Sequence, residues 1–160
     1  GKTIEVVNTD AEGRVTLADG ITYAAQNEKA DYIIDIATLT GAVVSALGGD
    51  MTGVMTDDER LWNSLESAVA TTGDAVWRLP VDEMFRDKVI SKRADLANSV
   101  SGGAGTVTAG MFLREFALGT PWMHFDIAGT AYHTDKTDDH PMGASGVGVE
   151  LLAEIALELL

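Results

Sequence analysis

Short β-branched or apolar runs alternate with amphipathic helical patterns along the chain, and this alternation limits the fold more than any other feature. Strands are predicted at Thr3–Val7, Asp31–Ala37, Gly53–Thr56 and Trp122–Ile127. The apolar run inside Asp31–Ala37 is typical of a buried parallel strand. Alternating strands and helices pack with the helices on both faces of a largely parallel sheet. We therefore predict an α/β fold, a three-layer αβα sandwich with a mixed, largely parallel sheet.

Helical patterns fill the intervals between the predicted strands. The helix that follows the third strand begins at Asp57 or Asp58, which can cap it, and ends at Gly73. The pattern at Trp77–Pro80 predicts a loop with an aromatic anchor, and Ala94–Val100 is ambiguous, with a strand as one option. The other helical patterns cover roughly residues 17–27, 41–47, 84–90, 108–117 and 146–160.

The segment Asn8–Arg14, which reads Asn-Thr-Asp-Ala-Glu-Gly-Arg, carries the strongest functional signal. Asp10, Glu12 and Arg14 are spaced two residues apart, and in an extended chain that spacing places all three side chains on one side. Neighbouring carboxylates repel each other, and a divalent cation removes that conflict. Oxygen ligands suit manganese, magnesium and zinc, while an arginine nearby can hold an anion. The alternative interpretation is a polar turn with an exposed ion pair.

The residues that flank this segment favour the metal site over the polar turn. The predicted strand Thr3–Val7 leads into the segment, and an apolar helical pattern that starts at Leu17 follows it. The segment therefore lies at the carboxyl end of a strand and before a helix, where open α/β sheets bind their ligands.

The charge of the chain excludes functions that need a basic surface. The net charge is −14, which argues against nucleic-acid binding and against binding to anionic membranes. The sequence contains no cysteine, so neither a disulfide nor a thiolate metal site is available. No signal-peptide pattern or membrane-spanning apolar run is present. We predict a cytoplasmic protein with no nucleic-acid or membrane partner.

Several blocks of the sequence, taken in order, resemble the leucyl aminopeptidase family, cytosolic exopeptidases with two metal ions. Asn8–Arg14 resembles the signature of this family, Asp35–Ala42 its substrate-side loop, and His124–Ala131 its late core strand and turn. Gly103–Thr106 followed by Ala109–Leu113 fits the same family. The resemblance spans nearly the whole chain.

This resemblance implies that the protein removes the first residue, such as leucine, from peptides with a free amino terminus. Two divalent ions, manganese or zinc with magnesium as a further option, would activate a water molecule. The resemblance implies that Asp10 and Glu12 are metal ligands, with Glu12 bridging both ions. It also implies that Arg14 is a catalytic residue that positions a bicarbonate, the acceptor of the proton from the attacking water.

The loop after the second strand is assigned to substrate binding by the resemblance alone. From its residues, Thr38–Gly41 would be an ordinary capped turn. The resemblance implies that Thr38 and Gly41 shape the pocket for the first side chain of the substrate. It implies further that the backbone of Leu39 contacts the reacting group.

The chain begins directly on a strand, and we expect residues 1–160 to be the C-terminal portion of a catalytic metallopeptidase domain. The N-terminal domain and the first half of the catalytic domain would be absent, so the sheet would be incomplete. The family also uses a lysine, two aspartates and a second catalytic lysine that would precede Gly1. We therefore expect the isolated chain to be inactive and the full-length protein to be a homo-hexamer.

Two other functions are alternatives to a peptidase. A non-catalytic structural or oligomerisation piece remains an alternative. A phosphate-binding α/β module is disfavoured by the negative charge and by the glycine-rich loop Gly102–Thr106, which lacks the P-loop lysine. His124 is interpreted as a satisfied core residue, and the acidic loop Thr134–His140, with Asp135, Asp138 and Asp139, as solvated.

Overall fold

The structure is a computed structural model that describes residues 1–136 and 141–160. None of the helices in these two ranges is long and apolar enough to cross a membrane. The α-helices described are α1 (Gly13–Gln26), α2 (Gly41–Leu47), α3 (Glu59–Thr72), α4 (Glu83–Arg86), α5 (Gly105–Arg114) and α6 (Val149–Leu159). The strands described are β1 (Ile4–Glu5), β2 (Ile33–Ala37), β3 (Thr52–Met55), β4 (Val76–Arg78), β5 (Leu96–Ala97), β6 (Trp122–Asp126), β7 (Tyr132–His133) and β8 (Gly143–Ala144).

The main sheet contains four strands in the order β2-β6-β3-β4. The β2 and β6 strands are parallel, with Asp35 opposite His124, and β3 is parallel to β4. Among the described strands of this sheet, only the pairing between β3 and β6 is antiparallel. The other described strands form two separate two-stranded sheets. In one, β1 is parallel to β5, and in the other, β7 is antiparallel to β8. The prediction of a mixed, largely parallel sheet is confirmed.

Side chains of β6 alternate between two hydrophobic cores, one on each face of the sheet. Trp122 packs with residues of α1 and α5 in the first core. Met123 and Phe125 pack with residues of α3 and α6 in the second core. Because successive side chains of a strand point to opposite faces, a fully buried strand supplies both cores. The three-layer αβα sandwich predicted from the sequence is therefore confirmed.

The helix α3 follows the predicted pattern closely. Asp58 caps it, since the Asp58 carboxylate accepts a hydrogen bond from the backbone N–H of Leu61 at 2.9 Å. Gly73 ends it with a φ of 76°, the left-handed conformation that glycine adopts without steric cost. Leu61 and Leu65 are fully buried on the face that packs against the sheet. Both cap signals were therefore readable from the sequence.

Some element boundaries differ from the prediction. The prediction of a loop at Trp77–Pro80 is wrong for its first two residues, because Val76–Arg78 forms the edge strand β4 beside β3. An edge strand has a solvent-exposed side, and Trp77 is 58% exposed, so this strand shows no apolar run. The helix α1 begins at Gly13, earlier than predicted, and α6 begins at Val149, later than predicted.

We expect the Gly129→Ala variant to lower the free energy of unfolding by about 1–3 kcal/mol or more, the usual range for overpacking. A Cβ atom on Gly129 would lie far inside van der Waals contact with the backbone carbonyl oxygen of Gly48. Backbone cannot move aside as the end of a side chain can, so the turn after β6 must shift. Urea denaturation of both proteins measures the difference.

The matched control is Gly20→Ala in α1, where an added Cβ meets nothing within 4 Å. In a helix interior, alanine is more stable than glycine by about 0.5–1 kcal/mol. Equal unfolding midpoints for the two variants would contradict the close approach of Gly129 to Gly48.

We expect Glu115 to make the stability of the fold depend on pH in the acid range. Burial raises the pKa of this carboxyl, but hydrogen bonds from Arg86 and Lys2 outweigh burial and lower the pKa below its usual value. A carboxyl whose pKa is lower in the folded state stabilises the fold above its unfolded pKa, about 4.3 for glutamate. That stabilisation is lost as the pH falls through the folded pKa. Thermal denaturation from pH 6 to pH 3 should show a smaller acid dependence for Glu115→Gln, and identical profiles would contradict this role.

Candidate active site

The chain turns directly after β1, so the functional segment is not an extended strand. The Asn8 side-chain oxygen accepts a hydrogen bond from the backbone N–H of Asp10 at 3.0 Å, and the Ala11 N–H donates to the Asn8 carbonyl at 3.3 Å. Glu12 already has helical backbone angles, and α1 begins at Gly13. The prediction that the i, i+2 spacing aligns the side chains as in extended chain is therefore wrong. Asparagine side chains stabilise turns of this kind.

Asn98 fixes the conformation of this turn through hydrogen bonds to its backbone. Its side chain is fully buried, directly after β5. The side-chain oxygen accepts from the backbone N–H groups of Val7 at 3.0 Å and Asn8 at 3.3 Å. The side-chain nitrogen donates to the carbonyls of Asn8 at 2.7 Å and Ala11 at 3.2 Å. Because both ends of the amide are occupied by backbone groups of one turn, Asn98 determines its shape.

Arg14 lies in the first turn of α1, and its guanidinium is only partly paired. Its Nη1 donates to the backbone carbonyl of Asn98 at 2.9 Å. Its Nε is buried and has no hydrogen-bond partner among the described residues. Burial lowers the pKa of Arg14, and the negative charge of Asp126 acts in the opposite direction. Arginine stays charged at neutral pH. This guanidinium is therefore a cation with unused hydrogen-bond donors, which could bind an anion.

The loop between β2 and α2 is held at the carboxyl end of β6. The Thr40 hydroxyl caps α2 by accepting from the backbone N–H of Val43 at 3.1 Å. The backbone N–H groups of Leu39 and Thr40 donate to the Asp126 carboxylate at 3.0 Å and 3.3 Å. The predicted capped turn is therefore present, and a buried carboxylate anchors it.

One cleft of about 230 Å³ brings most of the predicted site residues together. Asp10, Arg14, Leu39 and Gly41 all contribute to its walls. Glu12 and Thr38 are exposed next to these residues in the chain, but they are not part of the lining. The remaining wall residues are Asn8, Ala11, Thr40, Ala42, Ser99, Val100, Gly105 and Thr108. Segments that lie far apart in the sequence, near residues 8–14, 39–42 and 99–108, thus meet at one site.

The two carboxylates of this site have the chemistry of metal ligands but do not form a complete ligand set. Asp10 and Glu12 are exposed, and neither forms an ion pair within residues 1–136 and 141–160. In those ranges no group of three or more histidine, aspartate and glutamate side chains is placed to hold a metal ion. Unpaired oxygen ligands fit a hard divalent cation.

Sequence reasoning missed two buried residues that shape the site. Asn98 lies in the segment predicted as an ambiguous strand, and Asp126 lies in the predicted strand Trp122–Ile127, with no role assigned to either residue. A polar side chain next to apolar strand residues was the available signal in both segments. Neither residue shows in its local sequence which backbone groups it binds, because most of those groups lie more than 80 positions away.

His124 lies in the core, as predicted, and is partly satisfied. It is fully buried, and its Nδ1 lies 2.6 Å from the Asp35 carboxylate. Its Nε2 has no hydrogen-bond partner among the described residues. The predicted solvated loop Thr134–His140 includes Asp138, Asp139 and His140, which lie outside the described residues.

The fold and the cleft together define an α/β protein with polar side chains gathered where strands end, the usual place for a ligand site in such folds. The family model for the catalytic domain of the cytosol aminopeptidase family matches residues 1–153. The chain therefore belongs to the cytosol aminopeptidase family. The resemblance to the leucyl aminopeptidase family seen in the sequence is confirmed.

Individual relatives agree with this assignment. The chain is 49% identical over 156 residues to a protein of Clostridium perfringens, and the match covers 98% of the chain and 32% of that protein. It is 50% identical over 157 residues to a protein of Bacillus subtilis, covering 98% of the chain and 31% of that protein. A protein of Rhodopseudomonas palustris is 42% identical over 158 residues, with coverage of 99% and 32%. All three are named "Probable cytosol aminopeptidase", and the chain spans about a third of their length.

Proposed function

We propose that the protein containing this chain is a metal-dependent aminopeptidase that removes N-terminal residues such as leucine from peptides. The observation that carries the proposal is the meeting of Asp10, Arg14 and the Leu39–Gly41 loop on one cleft. Family membership and the names of the relatives support the same reaction. Their names also support a cytosolic protein, and the peptide substrate would need a free amino terminus.

Asp10 and Glu12 would hold two divalent metal ions together with ligands from outside this chain. The ions are manganese or zinc, with magnesium as a further option, and they would supply an activated water and polarise the scissile carbonyl. Asp10 lies in the turn that the side chains of Asn8 and Asn98 hydrogen-bond, and it lines the cleft. Glu12 lies two residues further on, directly before α1, and is exposed.

Arg14 would bind bicarbonate or the developing oxyanion of the reaction. Its buried Nε has no partner among the described residues, and its planar guanidinium can form two parallel hydrogen bonds with an anion. A bicarbonate held there would accept the proton from the attacking water. The Leu39 backbone, with Thr38 and Gly41 beside it, would position the first residue of the peptide.

The expected assembly is a homo-hexamer of the full-length protein, in which residues 1–160 form the C-terminal portion of the catalytic domain. The alternative is that this portion serves assembly without contributing to the chemistry. Asp10 and Arg14 on one cleft favour the catalytic role, since a purely structural surface does not require an unpaired carboxylate beside a partly paired guanidinium.

The test is hydrolysis of leucine p-nitroanilide with manganese or zinc added. The full-length protein should cleave the substrate, lose activity in a chelator and regain it when metal is restored. The isolated 160-residue chain should show no turnover, because it holds an incomplete ligand set. A full-length protein that never cleaves the amide would overturn the proposed function, and turnover by the isolated chain would overturn the incomplete site.

A further inference from the structure

Asp126 is a buried carboxylate whose bonds lead to the candidate active site. It is the last residue of β6 and is 1% exposed. One carboxylate oxygen accepts from the backbone N–H groups of Leu39, Thr40 and Ala128, at 3.0, 3.3 and 3.3 Å. The other accepts from the Thr40 hydroxyl at 2.6 Å. A buried charge is tolerated only when hydrogen bonds satisfy it, and here most of those bonds come from one loop.

These bonds fix the loop between β2 and α2 at two successive residues. Leu39 and Thr40 are joined to the end of β6, and Thr40 also bonds to the Thr106 hydroxyl of α5 at 2.9 Å. The neighbouring residues of the loop line the cleft. The position of the Leu39–Thr40 wall relative to Arg14 therefore depends on the end of β6. Asp126 is the residue that joins this wall to β6.

The same carboxylate acts on the opposite wall of the cleft through its charge. The negative charge of Asp126 favours the charged form of Arg14, against the effect of burial on the pKa of that side chain. Within the described residues Arg14 forms no ion pair of its own. The hydrogen bonds of the buried Asp126 thus hold one wall of the cleft in place.

We propose that Asp126 is a positioning residue for the reaction, which sets the loop of Leu39 and Thr40 against Arg14 without touching the substrate. This inference rests on the proposed aminopeptidase function. A displacement of a substrate-binding group by about 1 Å can lower the rate about a hundredfold, so an anchor of this kind affects turnover more than it affects binding.

The test compares kcat and KM of the full-length protein with those of Asp126→Ala and Asp126→Asn. In Asp126→Ala the loop loses its acceptor, and kcat should fall about a hundredfold per folded molecule, with a smaller change in KM. In Asp126→Asn the side-chain oxygen can still accept from Leu39 and Thr40, while the amide can donate to the Thr40 hydroxyl. Asparagine should therefore restore kcat to within about tenfold of the wild type.

Asp35→Asn is the matched control. Asp35 is a second buried carboxylate that opens the block Asp35–Ala42, but it lies within β2 and not in the loop that lines the cleft. Its partners are the Trp122 indole N–H at 2.7 Å and His124, neither of which lines the cleft. This variant should lower the melting temperature and leave kcat per folded molecule within about twofold. If Asp126→Ala behaves like Asp35→Asn, or if Asp126→Asn is as slow as Asp126→Ala, the positioning role is overturned.

Hydrogen exchange separates this inference from the proposed function. The amides of Leu39 and Thr40 should exchange at least about tenfold faster in Asp126→Ala than in the wild type, and unchanged exchange would overturn the anchor. If Asp126→Ala does not fold, Thr40→Val, which removes one of the four bonds to the carboxylate, should accelerate exchange at Leu39 and lower kcat. A wild-type protein without peptidase activity would defeat the proposed function, while the exchange rates would still decide whether Asp126 holds the loop.

Discussion

Replacing Asp10 with asparagine is expected to abolish peptide cleavage by the full-length protein while the fold stays intact. Losing an outer-shell partner of a metal site typically costs about 10–100-fold, so losing a ligand should cost at least about a hundredfold in kcat/KM. Asp10 is exposed in its turn, and its carboxylate has no ion pair within the described residues. The unfolding free energy should therefore change by less than about 0.5 kcal/mol.

The control for this variant is Asp19→Asn, which removes an equal charge from an exposed position of α1 that does not line the cleft. It should retain full activity. Unchanged activity of Asp10→Asn would instead favour the structural or oligomer-forming role of this chain, since a scaffold does not require that carboxylate. Circular dichroism of both variants shows that they are folded.

Arg14→Lys is the second variant with a large expected effect. Lysine keeps the charge but lacks the planar fork, so it cannot hold bicarbonate or an oxyanion with two parallel bonds. It would also lose the geometry of the bond to the Asn98 carbonyl. We expect kcat to fall about 10²–10³-fold, as for the loss of one oxyanion-stabilising donor.

Bicarbonate distinguishes this role of Arg14 from a general loss of structure. The wild-type rate should rise when bicarbonate is added to a carbonate-free buffer, and the rate of Arg14→Lys should not respond. Arg93→Lys, at an arginine whose side chain is 83% exposed, serves as the control and should behave as the wild type. Full activity of Arg14→Lys would mean that the guanidinium plays no part in the chemistry.

The layers of the fold could be predicted from the sequence, because the helices and strands of each layer show a local hydrophobic pattern. The stripe of α3, with its caps at Asp58 and Gly73, follows from helical periodicity and from capping chemistry. The edge strand β4 was missed since three residues with an exposed Trp77 make no periodic pattern. The strand conformation of β4 depends on its pairing with β3, which its own sequence does not show.

The residues of the candidate site were selected from the sequence without their geometry. Asp10 and Arg14 were selected from local residue types, and the Leu39–Gly41 loop was selected from the resemblance alone. The turn that presents Asp10 could not be found in this way, because it depends on Asn98, which lies 90 positions from Asn8. Such long-range hydrogen bonds to backbone groups leave no mark in the local sequence.

Calorimetric titration of manganese tests most directly whether Asp10 and Glu12 hold divalent cations. The metal-free full-length protein should bind two ions per chain. The Asp10→Asn and Glu12→Gln variants should bind at least about tenfold more weakly, in keeping with the loss of one coordinating group. Isotherms for both variants that superimpose on the wild-type isotherm would contradict the claim.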